Sequence, residues 1–252
     1  MTENTPGITI KNDRELNDPE TTIRARKIIR DNELLRYFYD QNYQFFKDVF
    51  TDVPGGLKLE LGSGAGYIRD VIPECITSDV LELPFIDRTI DATHLPFRDQ
   101  EVAGICMIDV FHHIPDVGQF LKEAERVLAP GGKIAMVEPA NTRWGRFIYQ
   151  HFHHEPFDPE AEEWRLPDGG PLSMANGALP WIVFKRDWAT ITSKRFPQLT
   201  LQQIVLCYPL LYLLSGGLSY PQLLPARIAI ILDKMLSTGM FYKIIVEKNG
   251  AT

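Results

Sequence analysis

The residues best suited to chemistry form a glycine-rich turn after a short predicted strand. The sequence ELGSGAG occupies positions 60–66, with glycine at Gly62, Gly64 and Gly66. Glycine lets the backbone turn tightly and approach a ligand, and a helical turn that follows offers free N–H groups. Three glycines alone also suit a plain turn. Glu60 argues against a phosphate-binding turn, because a carboxylate there repels phosphate. It favours a ligand that carries an amine or a sulfonium.

Three further acidic residues lie next to predicted strands. Asp79 ends the second strand, Asp91 precedes the next apolar strand, and Asp109 closes that strand. The carboxyl ends of neighbouring strands meet at the crevice where open α/β sheets bind ligands. We expect Asp79 to accept hydrogen bonds from the ribose of an adenosine, and Asp91 with the Ala92 N–H to face its adenine. Each aspartate taken alone would equally suit a helix cap or a turn.

Two consecutive histidines follow the strand that ends in Asp109. A neutral imidazole at His112 or His113 suits a general base, and we predict His113 as the catalytic residue. The alternative is that both side chains pack at the strand end. Glu138, which ends the next strand, is a second candidate that would more often orient its neighbours.

A histidine-rich segment, HFHHEPFD, spans residues 151–158. Its spacing matches none of the usual zinc patterns, so we predict no metal site. We interpret the segment as an aromatic-rich cover over the pocket, together with Trp144, Trp164 and Trp181.

Strands and helices alternate along the part of the chain that positions these residues. Apolar periodicity between Ile23 and Val49 predicts one or two amphipathic helices before the first strand. A helix is predicted between the strands that end at Asp109 and Glu138. Such alternation implies right-handed crossovers and a mostly parallel sheet. The remaining predicted elements are a helix at 186–196 and two strands at 199–208 and 241–248.

In this order, the motifs ELGSGAG, SDV, DATHLPF, IDVFHHIPD and LAPGGKIAMVEP resemble the class I S-adenosylmethionine-dependent methyltransferases over residues 55–140. The resemblance implies an α/β fold with a Rossmann-like, doubly wound, seven-stranded, mostly parallel sheet, helices on both faces and an N-terminal helical cover. It implies S-adenosylmethionine as the cofactor, with its amino-acid part at the glycine turn. The expected cofactor-binding residues are Glu60, Gly62, Ser63, Gly64, Gly66, Asp79, Asp91, Ala92 and Asp109.

One segment departs from the family pattern. Only residues 80–90 separate Asp79 from Asp91, too few for a full crossover helix. We expect a stub with a short third strand there, and Asp87 is an alternative partner for the adenine.

Composition limits the class of protein. The chain has 252 residues, is 44% hydrophobic and carries a net charge of −7, which suits a large α/β domain and disfavours nucleic acid as a partner. Its three cysteines are isolated, which disfavours a disulfide framework. The N-terminal residues lack an apolar stretch, and no apolar run reaches the roughly 20 residues of a membrane span. The sequence therefore predicts a cytoplasmic protein.

We predict a flexible arm at residues 1–17 and a single methyltransferase domain at 18–252. Within that domain, 55–140 forms the core, 141–186 is a variable segment that selects the substrate, and 199–248 holds two strands with an apolar insert. We interpret the insert as core packing or a homodimer face. Peripheral membrane contact is the alternative.

The resulting functional hypothesis is methyl transfer from S-adenosylmethionine to a small-molecule, sugar or lipid-linked acceptor, with oxygen as the expected acceptor atom. One alternative is a non-catalytic protein of the same fold that acts as a binding or membrane-associated assembly module. A nicotinamide-dependent oxidoreductase is disfavoured by Glu60 and by Tyr67, which stands where that fingerprint has its third glycine.

Overall fold

The computed structural model describes residues 7–8, 12–153 and 155–250, and within them the chain forms a seven-stranded sheet in the order β3-β2-β1-β4-β5-β7-β6. Strands β1 to β5 pair in parallel, and β7 runs antiparallel to both β5 and β6. This confirms the predicted doubly wound, mostly parallel sheet. The strands are β1 (Leu57–Glu60), β2 (Ile76–Asp79), β3 (Arg88–Thr89), β4 (Val102–Ile108), β5 (Leu128–Pro139), β6 (Leu199–Cys207) and β7 (Phe241–Lys248).

Helices precede the sheet and connect its later strands. Asp18 caps the second helix by accepting from the Glu20 N–H, and Asn32 caps the third by accepting from the N–H groups of Leu34 and Leu35. The helices are α1 (Asp13–Leu16), α2 (Pro19–Asp31), α3 (Glu33–Val49), α4 (Val117–Val127), α5 (Arg143–Phe152), α6 (Leu179–Trp181), α7 (Ser193–Arg195), α8 (Leu211–Ser215) and α9 (Ala226–Lys234).

The sheet is covered on both faces, as alternate residues of β7 demonstrate. The Phe241 ring lies 5.3 Å from the Phe38 ring of α3, and the Lys243 ammonium lies over the Phe45 ring of the same helix. Between them, Tyr242 points to the opposite face and meets Lys185. Successive side chains of a strand point to opposite faces, so α3 covers one face and the segment around Lys185 covers the other.

The connection from β2 to β4 contains the expected short third strand and no helix. Asp87, the alternative adenine partner, is engaged elsewhere: its carboxylate accepts from the Thr77 N–H and hydroxyl, both at 2.9 Å, and pairs with Arg69. Asp87 therefore braces β2 and is not a ligand of the cleft.

Two regions differ from their predicted form. The helix predicted at 186–196 is replaced by two π-helical turns, Ile182–Arg186 and Trp188–Thr192, followed by α7. The predicted flexible arm at 1–17 lies partly outside the described residues. Its described part includes α1 and a buried Ile8, whose N–H donates to the Leu218 carbonyl at 2.8 Å.

We expect Phe46→Ala to lower the free energy of unfolding by about 3–5 kcal/mol, because this fully buried ring of α3 would leave a cavity. The matched variant Phe147→Ala, at a position 47% exposed, should cost under about 1 kcal/mol. Urea denaturation of both variants measures the difference. Equal losses would contradict the assignment of α3 to the core.

Candidate active site

The glycine turn after β1 is held in a conformation that requires glycine. Gly62 and Gly64 have φ of +63° and +44°, and a Cβ on Gly62 would collide with the Val110 side chain. Ser63 joins the turn to β2, because its N–H donates to the Ser78 carbonyl at 2.7 Å and its hydroxyl accepts from the Ser78 N–H at 3.0 Å. The turn is therefore a rigid floor at the carboxyl end of the sheet.

Glu60, the last residue of β1, carries a buried carboxylate beneath this turn. The residue is 3% exposed, and its Oε2 has no hydrogen-bond partner among the described residues. Burial, with a smaller contribution from Asp79, raises the pKa of Glu60 to about 7. A buried carboxylate with one oxygen that lacks a hydrogen-bond partner favours a ligand that brings positive charge.

Asp79, at the end of β2, faces the same space. Its Oδ2 accepts from the Gly64 N–H at 2.8 Å and its Oδ1 accepts from the Leu81 N–H at 2.9 Å. Burial raises the pKa of Asp79, and these N–H groups offset part of that rise. The carboxylate is thus fixed beside the glycine turn.

Asp91 and Asp109 complete the acidic rim. Asp91 Oδ1 accepts from the N–H and the hydroxyl of Thr93, both at 2.8 Å. Asp109 follows β4 with a φ of +54°, and burial, followed by Glu138, raises the pKa of its carboxyl well above the usual value. The left-handed backbone of Asp109 is a strained conformation of the kind that clusters at functional sites.

These residues line one cavity of about 500 Å³, within the usual range for ligand sites. The predicted residues found in its wall are Glu60, Gly62, Ser63, Gly64, Asp79, Asp91, Ala92, Asp109 and His113. Helices α2 and α3 form a roof through residues such as Ala25, Ile29, Tyr39 and Tyr43.

Gly66 lies outside the wall of this cavity. A Cβ at this position would meet the Tyr43 hydroxyl, and the Gly66 carbonyl accepts from the Arg26 guanidinium. The third glycine is therefore explained by the close approach of the helical roof.

A second polar centre in the cavity wall follows strands β4 and β5. His112 Nδ1 is 2.7 Å from Glu138 Oε2, and its Nε2 is 3.2 Å from Glu155 Oε2. Although burial alone would lower the pKa of His112, Glu138 and Glu155 raise it well above its usual value. Although burial alone would raise the pKa of Glu155, His112 and His113 hold it well below its usual value. His112 is therefore a cation held between two carboxylates.

His113 is positioned by the variable segment. Its Nδ1 is 2.7 Å from the Met174 carbonyl oxygen, and its Nε2 is 3.3 Å from Glu155 Oε1. A carbonyl oxygen only accepts, so Nδ1 carries the hydrogen and Nε2 is the nitrogen beside Glu155.

Two groups in this centre bring together atoms that could ligate a metal. One comprises His112, His113 and Glu155, and the other Asp109, His112 and Glu138. The absence of a metal site stays a prediction.

The sequence did not predict Glu155 as a central residue of the site. The prediction that three tryptophans help to cover the pocket was wrong. Trp144, Trp164 and Trp181 are not among the described residues that line the cavity. Trp144 donates to the Pro209 carbonyl and Trp164 to the Asp187 carboxylate. The HFHHEPFD motif contained the signal for Glu155, since it was the acid between the histidines and the proline.

Comparison with known proteins shows what part of this chain is similar to. Residues 59–136 match the model of a methyltransferase domain. A ubiquinone/menaquinone biosynthesis C-methyltransferase of Bartonella tribocorum is 37% identical over 78 residues, which cover 29% of this chain and 30% of that protein. A probable S-adenosylmethionine-dependent methyltransferase of Mycolicibacterium smegmatis is 25% identical over 145 residues, which cover 49% of this chain and 56% of that protein.

Among solved structures, a geranyl diphosphate C-methyltransferase from Streptomyces coelicolor is similar in fold. The TM-score is 0.53 at 14% identity, with 97% of this chain and 92% of that chain covered. The matches span 17% to 56% of the length of the first curated relatives. Residues 59–136 are therefore similar to a methyltransferase domain, and the fold is that of a solved methyltransferase structure.

We expect the ionisation of Glu60 to oppose folding. Because its pKa is about 7 in the folded chain and near 4.5 when unfolded, the folded state binds the extra proton between these values, and stability falls as pH rises through them. Relative to Glu60→Gln, the wild type should lose up to about 3 kcal/mol in its free energy of unfolding between pH 4.5 and 8. Urea denaturation across this range measures the difference, and a constant difference would contradict the raised pKa.

Proposed function

We propose that the protein is an S-adenosylmethionine-dependent methyltransferase that acts on a small-molecule, sugar or lipid-linked acceptor, with transfer to oxygen. The observation that carries this proposal is the buried carboxylate of Glu60, whose Oε2 has no hydrogen-bond partner in the described part of the chain, in the wall of a cavity also lined by Asp79 and Asp91. A cofactor with an ammonium group, a sulfonium and an adenosine would bring positive charge to Glu60 and hydrogen-bond donors to Asp79 and Asp91.

The residues fit the cofactor from one end to the other. The turn of Gly62, Ser63 and Gly64 with Glu60 would hold the amino-acid part, and Asp79 would accept from the ribose hydroxyls. Asp91 and Ala92 would face the adenine, and Asp109 would lie between the cofactor and the polar centre. When bound, S-adenosylmethionine supplies a methyl group on a positively charged sulfur.

The acceptor would occupy the remaining part of the cavity. Its wall there is largely aromatic and apolar, which suits an acceptor with a ring or an apolar part, and the polar centre gives that region its hydrogen-bonding groups. The residues concerned are Tyr39, Tyr149, Leu172, Met174, Tyr212 and Phe241, with His112, His113, His153 and Glu155.

For transfer to oxygen, His113 is the proposed general base. Its Nδ1 is committed to the Met174 carbonyl, so the hydroxyl proton of the acceptor would pass to Nε2. Glu155 is the proposed positioning residue, since its carboxylate lies beside that nitrogen. The related C-methyltransferases act on carbon, so transfer to carbon is the alternative outcome of the test.

The domain organisation, location and assembly state belong to this proposal as well. We propose a single domain over residues 18–252 with a substrate-selecting segment at 141–186. Among the described residues, no helix is both long and apolar enough to cross a membrane. A cytoplasmic location and the absence of a nucleic-acid partner stay predictions, and a homodimer is left open.

Calorimetry with S-adenosylmethionine and its demethylated product tests cofactor binding. We expect both to bind, and Asp79→Asn to weaken binding at least about tenfold, because the ribose would lose a charged acceptor. Asp99→Asn is the matched control, since Asp99 is an exposed partner of Arg126 outside the cavity. Absence of binding by the wild type would reject the proposed function.

An untargeted methyl-transfer screen followed by His113→Asn tests the base. With an oxygen acceptor, turnover should fall about 100-fold or more while cofactor affinity is retained. His151→Asn serves as the control, because His151 is exposed on α5 and outside the cavity wall. Near-normal turnover of His113→Asn on a hydroxyl acceptor would remove the base role.

A further inference from the structure

The apolar insert between β6 and β7 presents a helix whose apolar side faces outward. Along α9 and its C-cap residue Met235, the residues Ile228, Ile231, Leu232 and Met235 follow the spacing of one helix face, and they are 49%, 60%, 38% and 73% exposed. We call these four residues the outward stripe. A surface helix of a globular protein usually turns such a stripe toward the core, so its exposure here calls for a partner.

The opposite side of α9 is firmly attached to the protein. Ala226, Ala229 and Asp233 are buried, and Asp233 Oδ1 accepts from the N–H groups of Leu210 and Leu211 at 2.7 and 2.6 Å. These contacts set the rotation of α9, so the exposure of the outward stripe is built into the fold.

Further exposed apolar residues lie close to the stripe in the sequence. Of the thirteen large apolar side chains that are exposed in the described part of the chain, seven lie between positions 220 and 236. Tyr220, Leu223 and Leu236 add to the outward stripe, with exposures of 71%, 58% and 46%. Together these seven residues form what we call the interfacial face.

The charges in the insert are complementary to an anionic surface. Between residues 209 and 240, the charged residues are Arg227, Asp233 and Lys234. Asp233 is buried, whereas Arg227 and Lys234 are exposed on the same helix as the outward stripe. The insert thus displays two cations in a chain whose net charge is −7.

This charge pattern argues against a second copy as the occupant. In a two-fold dimer the same patch meets itself, so a pairing through α9 would bring Arg227 and Lys234 of both copies together without an exposed acid from the insert. An anionic bilayer supplies both the apolar layer and the negative charge. We propose that the interfacial face docks the protein on the surface of an anionic membrane, with α9 lying in the interface.

The face also adjoins the candidate active site. Leu218 and Ser219, directly before Tyr220, line the cavity, and Ser219 is exposed. At this edge a lipid-linked acceptor would pass from the bilayer into the cavity. This step alone rests on the proposed function.

Co-sedimentation of the full chain with vesicles, without cofactor, tests the docking. We expect binding to equimolar phosphatidylglycerol and phosphatidylcholine, and much weaker binding to phosphatidylcholine alone. Ile231→Ser with Met235→Ser should weaken binding at least about tenfold, because two side chains lose their apolar burial. Arg227→Gln and Lys234→Gln should each weaken it about fivefold, and added salt should mimic them.

The matched control is Val205→Ser with Leu206→Ser, which removes two apolar side chains, each 43% exposed, from the edge strand β6. This variant should bind vesicles like the wild type, and thermal unfolding should show that both double variants fold. No wild-type binding to anionic vesicles, or equal losses in both double variants, would overturn the proposal. If the wild type is a dimer and Ile231→Ser with Met235→Ser converts it to a monomer, the interfacial face binds a second copy of the chain and the proposal is overturned. Because vesicle binding is measured without cofactor, its failure is distinguishable from a failure to bind S-adenosylmethionine.

Discussion

The cleft depends on a carboxylate that the fold keeps away from water. Glu60 ends a central strand, and the glycine turn closes over it from one side. From the other side, Tyr43 of α3 reaches across: its hydroxyl lies against Gly66 and accepts from the Tyr67 N–H at 2.9 Å. Without the helical roof Glu60 would be hydrated and would have an ordinary pKa. The N-terminal helices therefore contribute to the electrostatic character of a site whose acidic residues Glu60, Asp79 and Asp109 lie at the ends of strands.

The second half of the cleft is organised by charges that neutralise one another. Glu138, at the end of β5, accepts from the N–H groups of Val110 and Phe111 and so fixes the loop after β4. His112 connects this carboxylate to Glu155, which belongs to the variable segment. Removal of one partner from such a buried group leaves an uncompensated charge, which is costly. The position of the variable segment is thus tied to the ends of the central strands.

Residue patterns predicted those parts of the site that depend on local order along the chain. The strand ends at Glu60, Asp79 and Asp109 follow from apolar runs that stop at a turn, and parallel pairing brings such ends to one edge. The role of Gly66 could not be predicted in this way, because it depends on Tyr43, more than twenty positions earlier. The predicted position of the tryptophans over the pocket was wrong for the same reason, because their partners are distant in sequence. Trp144 donates to the Pro209 carbonyl and Trp164 to the Asp187 carboxylate.

The apolar insert between β6 and β7 is a second case in which a local pattern does not predict the contacts of a segment. Periodicity identifies which residues of α9 share a face, but the same period describes a stripe that faces the core and one that faces outward. The orientation of α9 is fixed by Asp233, whose carboxylate lies on the side opposite to the stripe. This carboxylate accepts from the N–H groups of Leu210 and Leu211. Turning the apolar stripe inward would expose these contacts and move Ala226 and Ala229, which allow close packing, to the surface. A buried acid in an otherwise apolar helix therefore carries more information about its orientation than the apolar residues themselves.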